Sequence, residues 1–128
     1  MKPGDPIPEL KVTPDAGLTR RYKDASGDPN PIHVDDDFAK SVGLPGVILH
    51  GLYTMAQVAR ANAAAVGGDP RKLKRLAVQF RGMGFPEQEI AVTGSVKEEG
   101  EGRVVVAAEA VQDGNKIIKN AEAELSPQ

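Results

Sequence analysis

His50-Gly-Leu-Tyr-Thr-Met-Ala-Gln-Val-Ala-Arg-Ala-Asn-Ala-Ala-Ala-Val66, stopped by Gly67-Gly68-Asp69-Pro70, decides the fold together with the residues C-terminal to it. Beyond Gly51 the run has no helix breaker, and Leu52, Met55, Ala59, Ala63 and Val66 recur at spacings of three and four, the period of one helix face. Alanine at many other positions keeps this helix slim on all sides, so it is expected to lie deep against a sheet. The pattern then switches to period two. Leu76, Val78 and Phe80 alternate with Ala77, Gln79 and Arg81; Ile90, Val92, Gly94 and Val96 alternate with Ala91, Thr93 and Ser95. Val104, Val106, Ala108 and Ala110 continue the alternation, and Ile117 to Leu125 forms a last strand. Glu99-Gly-Glu-Gly102 and Asp113-Gly-Asn115 are hairpin signals between them.

The N-terminal half supplies shorter pieces. Ile7 to Thr13 suits a strand, and Asp15 to Ala25 has helical spacing, with Leu18, Tyr22 and Ala25 on one side and Thr13 or Asp15 as a cap. Gly27 to Pro31 cannot continue that helix. Asp35 to Ser41 is a second short helix, ended at Gly43 and followed by a Leu44-Pro45-Gly46 turn. The order is therefore a strand, helices, one long buried helix and a four-stranded antiparallel meander. That is an α+β fold in which a long central helix is wrapped by an antiparallel sheet, the hot-dog arrangement. No repeat, low-complexity tract or linker divides the chain, and residues 1–128 are expected to form a single domain.

Composition narrows the class. The 128 residues carry 16 basic and 18 acidic side chains, a net charge of −2, which gives no general attraction for nucleic acid or membrane. Aromatics make up 4 % of the chain and Trp is absent, so the core is expected to be lean and helped by oligomerisation. The absence of cysteine rules out disulfides and thiolate metal sites and suits a reducing compartment. The N-terminus lacks the apolar stretch of a signal peptide, no run is long enough to span a membrane, and a cytoplasmic location is expected.

The chemistry concentrates between Tyr22 and Gly51. Asp28 and His33 lie within Tyr22-Lys-Asp-Ala-Ser-Gly-Asp28-Pro-Asn-Pro-Ile-His33-Val-Asp35, and two prolines restrict the chain between them. A carboxylate and an imidazole can divide proton transfer between them. The same Gly, Asp, Pro and Asn are also what a tight turn uses, and His33 would equally suit a buried, hydrogen-bonded position. At His50-Gly51, a glycine opening a helix lets a ligand oxygen approach backbone N–H groups, where the helix dipole favours negative charge. Gly51 would equally serve close packing.

Two other features point elsewhere. The two histidines lie near Asp35, Asp36 and Asp37, but no metal-binding spacing is present, and three successive Asp at a helix start match the helix dipole. No metal site is expected. Arg71-Lys-Leu-Lys74-Arg75 is the one basic cluster, able to meet the phosphates of a coenzyme or simply to be solvated, and no phosphate-loop or dinucleotide pattern accompanies it.

Taken together, Tyr22-x3-Ser26-Gly-Asp28-x-Asn30-Pro-Ile-His33-x-Asp35, Ala39-x3-Gly43 and Ile48-x-His50-Gly51 resemble the signature of the MaoC-like dehydratases. That family includes (R)-specific enoyl-CoA hydratases and 3-hydroxyacyl-thioester dehydratases. The resemblance implies a hydro-lyase that adds water reversibly to an enoyl thioester. It makes Asp28 and His33 the catalytic dyad and Gly51 the backbone donor to the thioester oxygen. Asn30 would support the dyad, and Ser26 and Asp35 would be structural. The candidate substrate-contacting residues are Asn30, His50, Leu52, Tyr53, Met55 and Arg81. No cofactor is implied.

The chain departs from the pattern in two places. Some of these hydratases orient the catalytic Asp with a Ser on the central helix, where this chain has Ala59. The family segment Phe-x-x-Pro-Val-x-Pro-Gly is here Phe80-Arg-Gly-Met83-Gly84-Phe85-Pro86-Glu87, which predicts a more mobile loop beside the acyl pocket.

The implied partners are an acyl-CoA or acyl-carrier-protein thioester and a second hot-dog unit, as a homodimer or as the catalytic half of a heterodimer. Two rivals are a hot-dog thioesterase and a non-catalytic acyl-thioester-binding subunit. The former needs a helix carboxylate, which Leu52 to Val66 does not supply. The latter would not need an intact dyad.

Overall fold

The computed structural model describes residues 1–128. Its elements run β1 (Leu10–Val12), α1 (Leu18–Ser26), a 3-10 turn (Pro31–His33), α2 (Asp36–Ser41), α3 (Gly51–Ala64), a 3-10 turn (Pro70–Lys72), β2 (Leu73–Phe80), β3 (Ile90–Gly100), β4 (Arg103–Gln112) and β5 (Asn115–Leu125). All five strands join one antiparallel sheet in the order β1-β3-β4-β5-β2. The expected α+β hot-dog architecture is present, with α3 packed against β2, β3, β4 and β5. No helix is long and apolar enough to cross a membrane.

The meander is narrower than the alternation predicts. β3, β4 and β5 are joined by tight hairpins, each turning on a residue pair with positive φ: Glu101-Gly102 and Asp113-Gly114. Positive φ at both central positions matches the right-handed twist of the flanking strands. β2 does not lead directly into its neighbour. It crosses the sheet to pair with β5, and residues 81–89 bridge the gap to β3. Alternation shows that a strand exists, but strand order depends on which edge the connection can reach.

The core lies between α3 and the sheet. Its largest fully buried side chains are Ile90, Ile117, Ile118 and Leu125, and no aromatic is among its fully buried members. The face that α3 buries differs from expectation. Thr54, Gln57, Val58, Ala61 and Asn62 point inward, whereas Leu52 is 64 % exposed and Met55, Ala59 and Ala63 are half-buried. Three of the inward residues are polar, and each donates to its own helix: Thr54 Oγ1 to the Gly51 carbonyl at 2.7 Å, Gln57 Nε2 to Tyr53 at 3.3 Å and Asn62 Nδ2 to Val58 at 2.9 Å. Bonds of a side chain to its own helix backbone reduce the cost of burying it, which a hydrophobicity pattern does not register, although Asn62 Oδ1 is left without a partner.

Residues 81–88 are strapped down rather than loose. Gln112, itself buried, accepts from the Phe85 N–H at 2.7 Å and donates to the carbonyls of Phe85 at 2.8 Å and Gln88 at 3.0 Å. The Gly84 carbonyl accepts from Leu49 N–H at 2.8 Å, and Arg81 and Gly82 both donate to the Ile117 carbonyl. A Cβ on Gly84 would stand 3.0 Å from Leu49 Cδ1, so the missing side chain permits the strap to lie flat on the residue preceding His50. The segment that carries Met83 and Gly84 is therefore held by hydrogen bonds to Leu49, Gln112 and Ile117.

Candidate active site

Local chemistry sets the positions of Asp28 and His33. Gly27 closes α1 in the left-handed conformation at φ 74°, turning the chain abruptly. Asp28 Oδ1 then accepts from the Asn30 N–H at 3.1 Å, and Asn30 Oδ1 accepts from the Ile32 N–H at 3.2 Å, capping the 3-10 turn that ends in His33. Asn30 thus works through the backbone, holding five residues of chain in one shape. Asp35 and Asp36 behave as the dipole argument expects: Asp35 caps α2 through Phe38 N–H, and Asp36 accepts from Val47 N–H.

His33 is buried, and its Nδ1 lies 2.8 Å from the Ile48 carbonyl. A carbonyl only accepts, so Nδ1 carries the proton and Nε2 is left for chemistry. The Ile48 N–H bonds back to the Ile32 carbonyl, tying the His33 turn to the strand-like segment that enters α3. Two residues on, the His50 ring stacks on His33, with centroids 3.9 Å apart and planes 23° apart. Tyr22 packs on the outer side of His50 at 4.6 Å and meets Tyr53 edge-on at 6.1 Å. A carboxylate oxygen of Asp28 and one ring nitrogen from each histidine all lie within 4.8 Å of one another.

Burial and the neighbouring His33 lower the pKa of His50 below the ordinary 6.5, with Asp28 opposing the shift. His50 is therefore a neutral ring at physiological pH. It also caps the N-terminus of α3 without a side-chain hydrogen bond. Gly51 and Leu52, the first helical residues, have no intrahelical acceptor for their N–H groups. The uncapped, electropositive end of α3 thus begins one residue from the histidine stack. A Cβ on Gly51 would stand 3.2 Å from Phe80 Cε1, so glycine keeps this helix end open beneath a ring that is 50 % exposed.

Asp28, His33, Asn30, His50 and Gly51 are consequently brought into one place. Tyr53 reaches it through Tyr22, and Met55 packs towards the core. Leu52 projects outward, and Arg81 is an exposed side chain bonded to Gln79 at 3.1 Å, outside the three-residue cluster. Ala59 lies away from the dyad turn, in an apolar concavity with Ala63, Ala64 and Leu73. Of the basic cluster, Arg71 is held bidentately by Asp69 and Lys72 donates to the Pro127 carbonyl, leaving Lys74 and Arg75 exposed. The reading by spacing misses Tyr22 as a wall of the site. Its presence at the head of the same motif was the available signal.

The MaoC like domain family matches residues 2–119. Among curated proteins, the chain is 37 % identical over 110 residues to the fatty acid synthase beta subunit hexB of Dothistroma septosporum, covering 84 % of this chain and 6 % of that protein. It is 35 % identical over 111 residues to the peroxisomal enoyl-CoA hydratase 2 of Arabidopsis thaliana, covering 86 % of this chain and 34 % of that protein. The chain thus spans about a third or less of these two relatives. A solved MaoC-like dehydratase superposes with a TM-score of 0.92 at 31 % identity, over 98 % of this chain and 40 % of the other.

Proposed function

The chain belongs to the MaoC-like domain family, and from that premise we propose that it catalyses the reversible syn addition of water to a trans-2-enoyl thioester, the reverse being dehydration of an (R)-3-hydroxyacyl thioester. The convergence of Asp28, His33 and the open end of α3 carries this reading. The relatives named for enoyl-CoA hydration and fatty acid synthesis support the substrate class.

In the hydration direction Asp28 takes a proton from water as its oxygen bonds to C3. The electron pair of the double bond moves towards C1, and the charge on the thioester oxygen is met by Gly51 N–H. His33 delivers a proton from Nε2 to C2, and the proton taken up by Asp28 then returns to His33. Each of these steps is general acid or base chemistry, typically worth ~10²–10⁴-fold, and the oxyanion donor adds on the order of 3 kcal/mol. No electron transfer occurs, so the reaction calls for no redox group.

The 128 residues are read as one catalytic unit that works as a dimer. The outer edge of β2 is unpaired, and Leu52, Phe80 and Met83 are exposed at 64 %, 50 % and 45 %. A second hot-dog unit would cover them, and sedimentation of a fully active monomer would refute this. The cysteine-free composition suits the cytoplasm.

The test of the reaction is the loss of conjugated-thioester absorbance when crotonyl-CoA, or an enoyl acyl-carrier protein, is mixed with purified chain. The loss should vanish in Asp28→Asn and His33→Ala. Equal rates in all three proteins would end the proposal.

A further inference from the structure

The chain has two histidines, and the proposed reaction uses only His33. His50 is 3 % exposed, and neither of its ring nitrogens has a hydrogen-bond partner. Buried polar atoms are nearly always partnered, so an orphaned pair marks a residue kept for something other than its hydrogen bonds. With both nitrogens closed off, His50 neither donates to a substrate nor accepts from one. What it offers its surroundings is a flat ring. That ring meets His33 at 3.9 Å with planes 23° apart, and Tyr22 at 4.6 Å with planes 42° apart.

We propose that His50 is a positioning residue for the reaction: its ring, braced by Tyr22, fixes the plane of the His33 imidazole, so that Nε2 of His33 keeps one direction beside Asp28. The kinetic consequence rests on the hydration reading, and the structural one rests on the stack alone. His33 needs such a wall. The hydrogen bond of its ring, from Nδ1 to the Ile48 carbonyl at 2.8 Å, fixes one point. The torsion that turns an imidazole has broad wells, so one bond leaves the ring free to rock about it. A second ring packed nearly parallel on its face removes that freedom. Ile48 lies two residues before His50, so the carbonyl that holds Nδ1 and the ring that holds the face come from one short segment. The Ile48 N–H bonds in turn to the Ile32 carbonyl, next to His33. Burial, and His33 beside it, lower the pKa of His50, so the wall is uncharged at physiological pH. Proton transfer depends steeply on direction, and a misplacement of about 1 Å costs on the order of 10²-fold.

Two substitutions separate the face of the ring from its nitrogens. His50→Phe keeps a flat ring, and His50→Leu keeps an apolar side chain without one. kcat and KM for crotonyl-CoA are measured for both, and nitrogen NMR above the titration range of histidine reads the tautomer of His33. In the His50 variants His33 is the sole imidazole, so its signals need no assignment. In the parent and in His50→Phe, His33 should stay in the Nδ1–H form, with kcat of His50→Phe within about fivefold of the parent. In His50→Leu the two nitrogen signals should move towards an average of tautomers, with kcat lowered about 10²-fold and KM changed less than about threefold. A residue that only fills space would leave the tautomer alone.

Parental kcat and an unmixed tautomer in a folded His50→Leu would overturn the proposal. So would a folded His50→Phe as slow as His50→Leu, because the nitrogens would then carry the role. If neither variant folds, Tyr22→Leu carries the test: it leaves both histidines and removes the brace, and tautomer mixing at His33 is expected. Unchanged His33 signals there would overturn the positioning. A parent that hydrates no enoyl thioester would remove the reaction and leave the tautomer of His33 to decide the role of His50.

Discussion

Replacing Gln112 with Leu tests whether the strap over residues 81–88 sets up the site. Gln112 is buried at the end of β4 and makes three hydrogen bonds to the strap, at 2.7, 2.8 and 3.0 Å. Each is worth about 1 kcal/mol net, and leaving its backbone partners unsatisfied adds to the cost where water cannot replace it. Phe85 and Pro86 are half-buried and Gln88 is exposed, so water satisfies part of the loss. Leu fills the volume and recovers some apolar burial. The balance is a destabilisation of about 2–3 kcal/mol. For a domain of this size that lowers Tm by roughly 6–12 °C.

The effect should extend to the site. The strap holds the Gly84 carbonyl against Leu49 N–H at 2.8 Å, and Leu49 directly precedes His50 and the open end of α3. Thermal denaturation by circular dichroism, with kcat and KM for crotonyl-CoA measured well below the transition, reads both consequences. A fall in Tm of at least about 6 °C with a reduced kcat/KM is expected. A Tm within about 2 °C of the parent together with unchanged kinetics would refute the reasoning.

Three further outcomes rest on the same geometry. Gly51→Ala places a methyl 3.2 Å from the half-exposed Phe80 ring, which can yield, so Tm should move by less than about 4 °C; kcat/KM should fall roughly tenfold or more as the methyl crowds the N–H donor. Asn30→Ala removes the cap of the turn that carries His33 and should cost about 1 kcal/mol, with kcat reduced more than KM is raised; denaturant titration and steady-state kinetics decide it. His50 has a folded-state pKa below its unfolded 6.5. The unfolded chain therefore binds more protons once the pH falls below that value, and stability declines as pH drops through and below 6.5. Scanning Tm from pH 7.5 to 5.5 should show a steeper fall for the parent than for His50→Phe, and parallel curves would contradict a neutral buried ring.

Much of this protein was legible in its residues. The glycine and proline stops, the two hairpin pairs with their glycines and the period-two strands report local backbone preferences, and local preferences do not need a tertiary partner. The same holds for the turn around Asp28, where Gly27, Asn30 and the two prolines dictate their own conformation through short-range hydrogen bonds. The helix N-terminus at Gly51 was visible for the same reason.

Other features were decided only by the tertiary structure. Which side of α3 is buried could not be read from a helix with alanine on every side, because the inward Thr54, Gln57 and Asn62 are polar and donate to their own backbone. The place of β2 beside β5 depends on where the 81–89 connection can cross, and Gln112 holds that connection from a distant strand. The stack of His33 on His50 depends on the Ile32–Ile48 and His33–Ile48 contacts, which join segments 15 or more residues apart. Spacing along a chain records which residues are neighbours within a turn, whereas meetings across the fold depend on how the whole chain packs.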